Sequence, residues 1–259
     1  MSELVNRVIT SLRTNHDTLV AVLPNLTDDH LTGPSGASEW TIAQVLSHLG
    51  SGAEIFAKPL ARAAGRPFEE EDNQAVWARW DAASPIDQAA GFVEHDGAVL
   101  ETVESLTPEQ RDSLLIDLGF LPEPVPLVVA LGMRLNEVAA HAWDVRVGLD
   151  PNAGLDPESA QLLVELYDGP LAFLLGFSAK PELLADPARV TIPGGGLVVT
   201  DQVAVTSAEP ADATATFEGP QEAAVRLLTG RLKPEYTPED VQVTGNVTLD
   251  DLRKVFPGY

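Results

Sequence analysis

The sequence predicts an α-helical N-terminal domain followed by a small α+β domain. Three observations carry this. Apolar residues recur at helical spacing through the first ~175 residues. Helix-start signals stand before the long periodic runs. Beyond about residue 180 the chain breaks into short β-rich runs separated by Gly, Asp and Pro.

Residues 3–23 place Leu4, Val5, Val8, Leu12, Leu19 and Val22 at near-helical spacing, and Pro24 closes that run. Thr41 opens the second helix as an N-cap, with Gln44 three residues on as its capping-box partner. Trp40 before the cap and Val45 after it have the spacing of a hydrophobic staple. That helix continues through IAQVLSHLGSGAEIFA, with Pro59 near its end. Residues 66–83, rich in acids and tryptophan, read as a connection with a short helix. Ser84-Pro85 and Asp87 mark a third helix, and Thr107-Pro108-Glu109-Gln110 a further helix start. Pro122, Pro124 and Pro126 precede a fourth long helix that ends near Leu149. Pro157 opens a fifth, interrupted at Gly169-Pro170.

The segments RVTIP, LVVT, VAVTS and ATATFEG read as strands. The helix QEAAVRLLTG, the strand VQVTG and the helix TLDDLRKVF follow them. This change of texture predicts a helical bundle over residues 1–178 and a small α+β domain over residues 185–259. The boundary falls in SAKPELLADPA, residues 178–188. No fixed-period repeat is present.

Composition narrows the function. With 44% hydrophobic and 21% charged residues, the 259-residue chain has enough apolar side chain for a core. Acids outnumber bases 39 to 16 for a net charge of −23, and no basic stripe exists, so neither nucleic acid nor an anionic membrane is an expected partner. The absence of cysteine excludes a disulfide scaffold, a thiolate metal site and a cysteine nucleophile. Any thiol chemistry needs a thiol from outside. The start, MSELVNRVITSLRTNHD, lacks the apolar centre of a secretory leader. The most apolar stretch, Val125 to Met133, contains Pro126 and Gly132 and is far short of the ~20 residues of a membrane span. A cytoplasmic protein, with a monomer favoured, is the expectation.

Of the five histidines, His48 and His141 stand on strong helices beside apolar residues. Glu137 precedes His141 by four positions, so both side chains lie on one face about a turn apart. With a third ligand from a neighbouring helix they could meet one cation, and bundle interiors house such sites. Two neutral imidazoles and a carboxylate suit Zn²⁺ with its fourth position open. A solvated Glu–His helix pair and a hydrogen-bonded core histidine account for the same residues, and the spacing does not choose between these readings. Asp144, three residues beyond His141, has the spacing of a carboxylate that orients the imidazole, or of a helix-end charge paired with Arg134 or Arg146.

The segment EWTIAQVLSHLGSGAEIF resembles the second-helix signature of the DinB-like helical bundles. MRLNEVAAHAWDVRVGLDP resembles the second metal-bearing helix of one branch, the mycothiol-dependent maleylpyruvate isomerase family. TFEGPQEAAVRLLTGRL with VQVTGNVTLDDL resembles that family's C-terminal domain, so the likeness spans most of the chain. It implies a four-helix bundle, a sterol-carrier-like α+β domain, and Zn²⁺ held by His48, Glu137 and His141. It also implies mycothiol, the low-molecular-weight thiol of actinobacteria, as thiol cofactor or co-substrate.

The activity so implied is attack of activated mycothiol on a small electrophile. Cis–trans isomerisation of a maleylpyruvate-like substrate results if the adduct eliminates, and thiol transfer if it persists. Arg231, in LLTGRL, resembles a recurring arginine of the family and is a candidate, with Arg134, for holding a substrate carboxylate. A helix C-terminal charge describes Arg231 equally well. The competing expectations are a non-catalytic ligand-binding protein, a zinc-dependent regulatory protein, and metal-assisted hydrolysis with Asp144 as base.

Overall fold

The structure, a computed structural model, describes residues 2–258 and divides into two compact units, Met1–Pro151 and Asn152–Tyr259. The division precedes the 178–188 segment at which the texture changes. The helix opened by Pro157 packs with the sheet, and its amphipathic stripe, read alone, does not say which layer it covers.

In the first unit α1 (Ser2–Val22) ends in a 3₁₀ turn at Pro24, and a short α2 (Asp28–Leu31) follows. The long α3 (Ile42–Ala63) starts at Thr41 with the expected reciprocal capping box to Gln44. Pro59 lies inside α3 without ending it. The acidic connection yields α4 (Asn73–Ala82), Ser84 caps α5 (Pro85–Glu104), and Thr107 caps α6 (Pro108–Ser113). The proline-rich run forms an antiparallel pair of β1 (Leu115–Ile116) with β2 (Val125–Pro126), leading into α7 (Leu127–Val147).

The bundle is made by α1, α3, α5 and α7. α3 packs on α5 and α7, and α1 packs on α7 and α5. Val5, Val8 and Leu12 of α1 share its core with Val45, Leu46 and Leu49 of α3, Phe92 and Leu100 of α5, and Leu131, Leu135 and Val138 of α7. α7 is buried on nearly every face, so the polar side chains it carries are interior groups that require partners.

Gly50 marks the tightest part of the α3–α5 crossing. A Cβ there would meet the Trp80 indole and, at 3.0 Å, the Phe92 Cα. Gly50→Ala is therefore expected to destabilise the protein by about 1–3 kcal/mol, because overpacking against a rigid ring and a backbone exceeds the helix-propensity gain of about 1 kcal/mol. Urea denaturation measures this, and a stabilised variant would contradict the packing.

In the second unit α8 (Pro157–Asp168) packs on β5 and α10. A bend of 86° separates it from the apolar segment ending in α9 (Leu175–Ser178). Among the described residues no single helix is long and apolar enough to cross a membrane. The sheet has the order β5-β4-β3-β6-β7, from β3 (Ala188–Ile192), β4 (Gly195–Val199), β5 (Val203–Thr206), β6 (Ala215–Glu218) and β7 (Gln242–Gly245). Only the β3–β6 pair is parallel. The Gly194–Gly196 run has a conformational reason: Pro193-Gly194 forms the β3–β4 turn with Gly194 at φ +84°. α10 (Gln221–Leu228) and α11 (Leu249–Val255) complete the unit.

Candidate metal centre

α3 and α7 run in opposite directions where they touch: His48 meets Glu137, while Gly52 approaches Arg134. This brings His48, Glu137 and His141 to one place. His48 Nε2 lies 3.3 Å and His141 Nε2 3.6 Å from the same Glu137 oxygen. One candidate ligand atom from each residue lies within 4.8 Å of the other two. Ligands on a tetrahedral cation with bonds of about 2.0–2.1 Å stand about 3.3 Å apart. Two edges of the triangle thus already have nearly the required length.

The donor chemistry agrees with this spacing. His141 Nδ1 is 2.8 Å from the fully buried Asp144 carboxylate. An ionised carboxylate only accepts, so Nδ1 carries a proton, and Nε2 either donates to Glu137 or, when deprotonated, offers its lone pair to a cation. Burial by itself would push the Glu137 carboxyl up; hydrogen bonds from His141 and then His48, with their charge, outweigh it and hold the group well below the usual carboxylate range. The side chains are unequally accessible: His141 retains 7% exposure, Glu137 33% and His48 41%. The triangle therefore opens on the His48–Glu137 side. Two imidazole nitrogens and an ionised carboxylate, spaced in this way, fit a Zn²⁺-type ion with an open coordination position.

The other three histidines have local partners. His30 completes the α2 capping box with Thr27, His95 lies beside Glu54 and Trp80, and His16 Nδ1 is 2.8 Å from Asp96.

Arg134 lies one turn before Glu137 on α7 but has partners of its own. It is buried, and its Nη2 donates to Asp96 Oδ1 at 2.7 Å and to the Leu49 carbonyl at 2.8 Å. Its place on α7 turns the guanidinium toward Asp96 on α5. Arg231 belongs to the second unit, is buried, and donates to the Thr229 carbonyl just past α10. The acidic connection is tied down too: Arg79 bridges Glu54 and Glu71, and the Trp80 indole donates to Glu54.

Sequence reasoning missed the His16–Asp96–Arg134 network and the ring contacts of Trp40. Val45 is fully buried, whereas Trp40 keeps 38% exposure and lies against the two imidazoles. Its position directly before the cap of the His48 helix was the one available signal.

Residues 12–146 match the family model of the mycothiol maleylpyruvate isomerase N-terminal domain. Two uncharacterized proteins of Mycobacterium tuberculosis, MT0763 of strain CDC 1551 / Oshkosh and Rv0738 of strain ATCC 25618 / H37Rv, are each 33% identical over 144 residues. Each alignment covers 56% of this chain and 68% of the relative. Crystal structures of the mycothiol-dependent maleylpyruvate isomerase and of its histidine-to-alanine mutant superpose with TM-scores of 0.63 and 0.61. Both are 16% identical and cover 98% of this chain and 97% of theirs, a likeness of fold.

Proposed function

The chain belongs to the mycothiol maleylpyruvate isomerase family, and from that membership we propose that it is a zinc-dependent enzyme that uses mycothiol against a small, conjugated electrophile. The convergence of the His48 and His141 Nε2 atoms on one Glu137 oxygen carries the zinc part of this reading. Family membership carries the thiol.

Zn²⁺ held by His48, Glu137 and His141 would supply a Lewis acid whose net charge, +1 with its ligands, favours the thiolate of a group whose free pKa is about 8.5. The protein's own residues prepare for this. Asp144 holds His141 in the Nδ1-protonated tautomer, so that Nε2 remains a donor. As a carboxylate, Glu137 confers the negative charge that two neutral imidazoles lack. The partial exposure of His48 and Glu137 leaves the approach for thiol and electrophile on that side.

A thiolate that adds to a conjugated carbon forms a C–S bond and sends the π electrons to the electrophile's carbonyl oxygen. The former double bond is then single and can rotate. Collapse of the enolate expels the thiolate and yields the trans isomer with no net change in atoms. Protonation of the adduct instead leaves a thiol conjugate.

The test is metal analysis of the purified protein together with maleylpyruvate isomerisation in the presence and absence of mycothiol. About one zinc per chain is expected in the wild type, little in His48→Ala, and turnover only with the thiol. A wild type without a bound cation would refute the zinc reading. A thiol-independent isomerisation rate as fast as the thiol-dependent one would refute the thiol reading.

A further inference from the structure

Trp40 makes two ring contacts that the proposed chemistry does not use. Its indole centroid lies 5.1 Å from the His48 ring, tilted by 47°, and 5.9 Å from the His141 ring, stacked at 24°. The two imidazoles come from different helices, so one side chain from the loop before α3 touches a residue on each.

The loop that carries Trp40 is fastened to the same structure. Gly36 N donates to the backbone carbonyl of Asp144, the residue whose side chain holds His141 Nδ1. A Cβ at Gly36 would collide with Val147, Trp143 and the Asp144 carboxylate, so this approach requires glycine. At the other end Ser35 donates to the Trp40 carbonyl through both N–H and Oγ–H, and Pro34 bridges Thr41. Between these clamps Glu39 adopts φ 70°, the only positive φ at a non-glycine among the described residues. An L-residue is held in that region only where its surroundings compel it. Here the compelled turn delivers the indole to the imidazoles.

We infer that Trp40 is a positioning residue for the cation: it fixes the orientation of both imidazoles and favours their metal-bound form. An imidazole bound to a divalent cation is electron-poor, and indole offers the most electron-rich ring face among the side chains. The contact is therefore stronger with metal present than without it. This differential interaction raises affinity, whereas equal contact in both states would not. The inference rests on the triad as a cation site, and its test separates the two claims.

The test uses the full-length protein stripped of metal. Zn²⁺ affinity is measured at pH 8 by competition with a chromophoric chelator, and the visible spectrum of the Co²⁺ form reports coordination geometry. Trp40→Ala is expected to weaken Zn²⁺ binding roughly ten- to a hundredfold, as loss of outer contacts to metal ligands commonly does, and to alter the Co²⁺ spectrum. Trp40→Phe, which keeps a ring face, restores most of the affinity. Glu39→Gly retains wild-type binding, because glycine adopts φ 70° freely, whereas the β-branched Glu39→Val weakens it. Because Trp40 is half-exposed, the thermal midpoint of the metal-free Trp40→Ala protein is expected to stay close to that of the wild type.

Wild-type protein that binds Zn²⁺ alongside a Trp40→Ala protein with the same affinity and the same Co²⁺ spectrum would overturn the inference and leave the triad intact. Wild-type protein that binds neither ion would overturn both.

Discussion

The His141→Ala substitution is expected to lower Zn²⁺ affinity about a hundred- to a thousandfold. Structural zinc sites bind with about 10–16 kcal/mol over four ligands, so one ligand is worth about 3 kcal/mol. His141 is the best prepared of the three, being buried, with its tautomer set by Asp144 at 2.8 Å. Asp144→Asn leaves the three candidate ligands in place and should cost about ten- to a hundredfold. The order of effects is thus His141→Ala beyond Asp144→Asn. Chelator competition measures both, and mycothiol-dependent turnover at limiting zinc should fall in the same order. Equal affinities for wild type and His141→Ala would mean that any bound cation sits elsewhere.

Why His141 was identifiable before the structure while Asp96 was not is a matter of range. Glu137, His141 and Asp144 lie on one helix, where a 3.6-residue period alone brings them together. Helix starts were equally legible: Thr41 with Gln44, Ser84 with Asp87, and Thr107 with Gln110 are contacts across three residues. His48 lies 89 residues from Glu137. Periodicity could put it on a core-flanking stripe, and only the family resemblance paired it with α7. Arg134 shows the limit most plainly. Its spacing from Glu137 did not reveal its partners: the way α7 is rotated in the bundle sends it to Asp96 on α5 and to the Leu49 carbonyl on α3. A helix's rotation is set by packing on all its neighbours at once, and no local pattern encodes that. The same holds for Trp40, whose contacts with the two imidazoles depend on a compelled turn at Glu39 and on a partner about 100 residues away. It holds again for α8, whose apolar stripe is covered by the sheet.

Asp96→Ala is expected to destabilise the fold by about 3–5 kcal/mol, the usual cost of stranding a buried charge, against a total stability of about 5–15 kcal/mol for domains of this kind. The Asp96 side chain is 4% exposed and stands between His16 on α1 and Arg134 on α7. Without it the guanidinium keeps one carbonyl acceptor, Leu49, and its buried Nε already lacks a partner. Burial alone would push the Asp96 carboxyl up. The charge of Arg134, then hydrogen bonds from His16 and Arg134, outweigh that and hold it below the usual carboxylate range. A depressed folded-state pKa sets the sign: the stabilisation is fully present above the unfolded value of about 3.9 and is lost as pH falls through the lower folded value. The stability gap between wild type and Asp96→Asn should therefore be constant from about pH 5 to 7 and shrink on acidification below about pH 4. Denaturation at several pH values reads this directly, and a gap that widened in acid would refute the ion pair. The loss also reaches the candidate metal centre: Arg134 stands one turn before Glu137 and holds the carbonyl of the residue after His48. The pair thus fixes α3 against α7 at the level where His48 and Glu137 meet. Asp96→Asn, even where it remains folded, should bind Zn²⁺ more weakly than wild type through looser spacing of His48 from Glu137, with the ligands themselves unchanged.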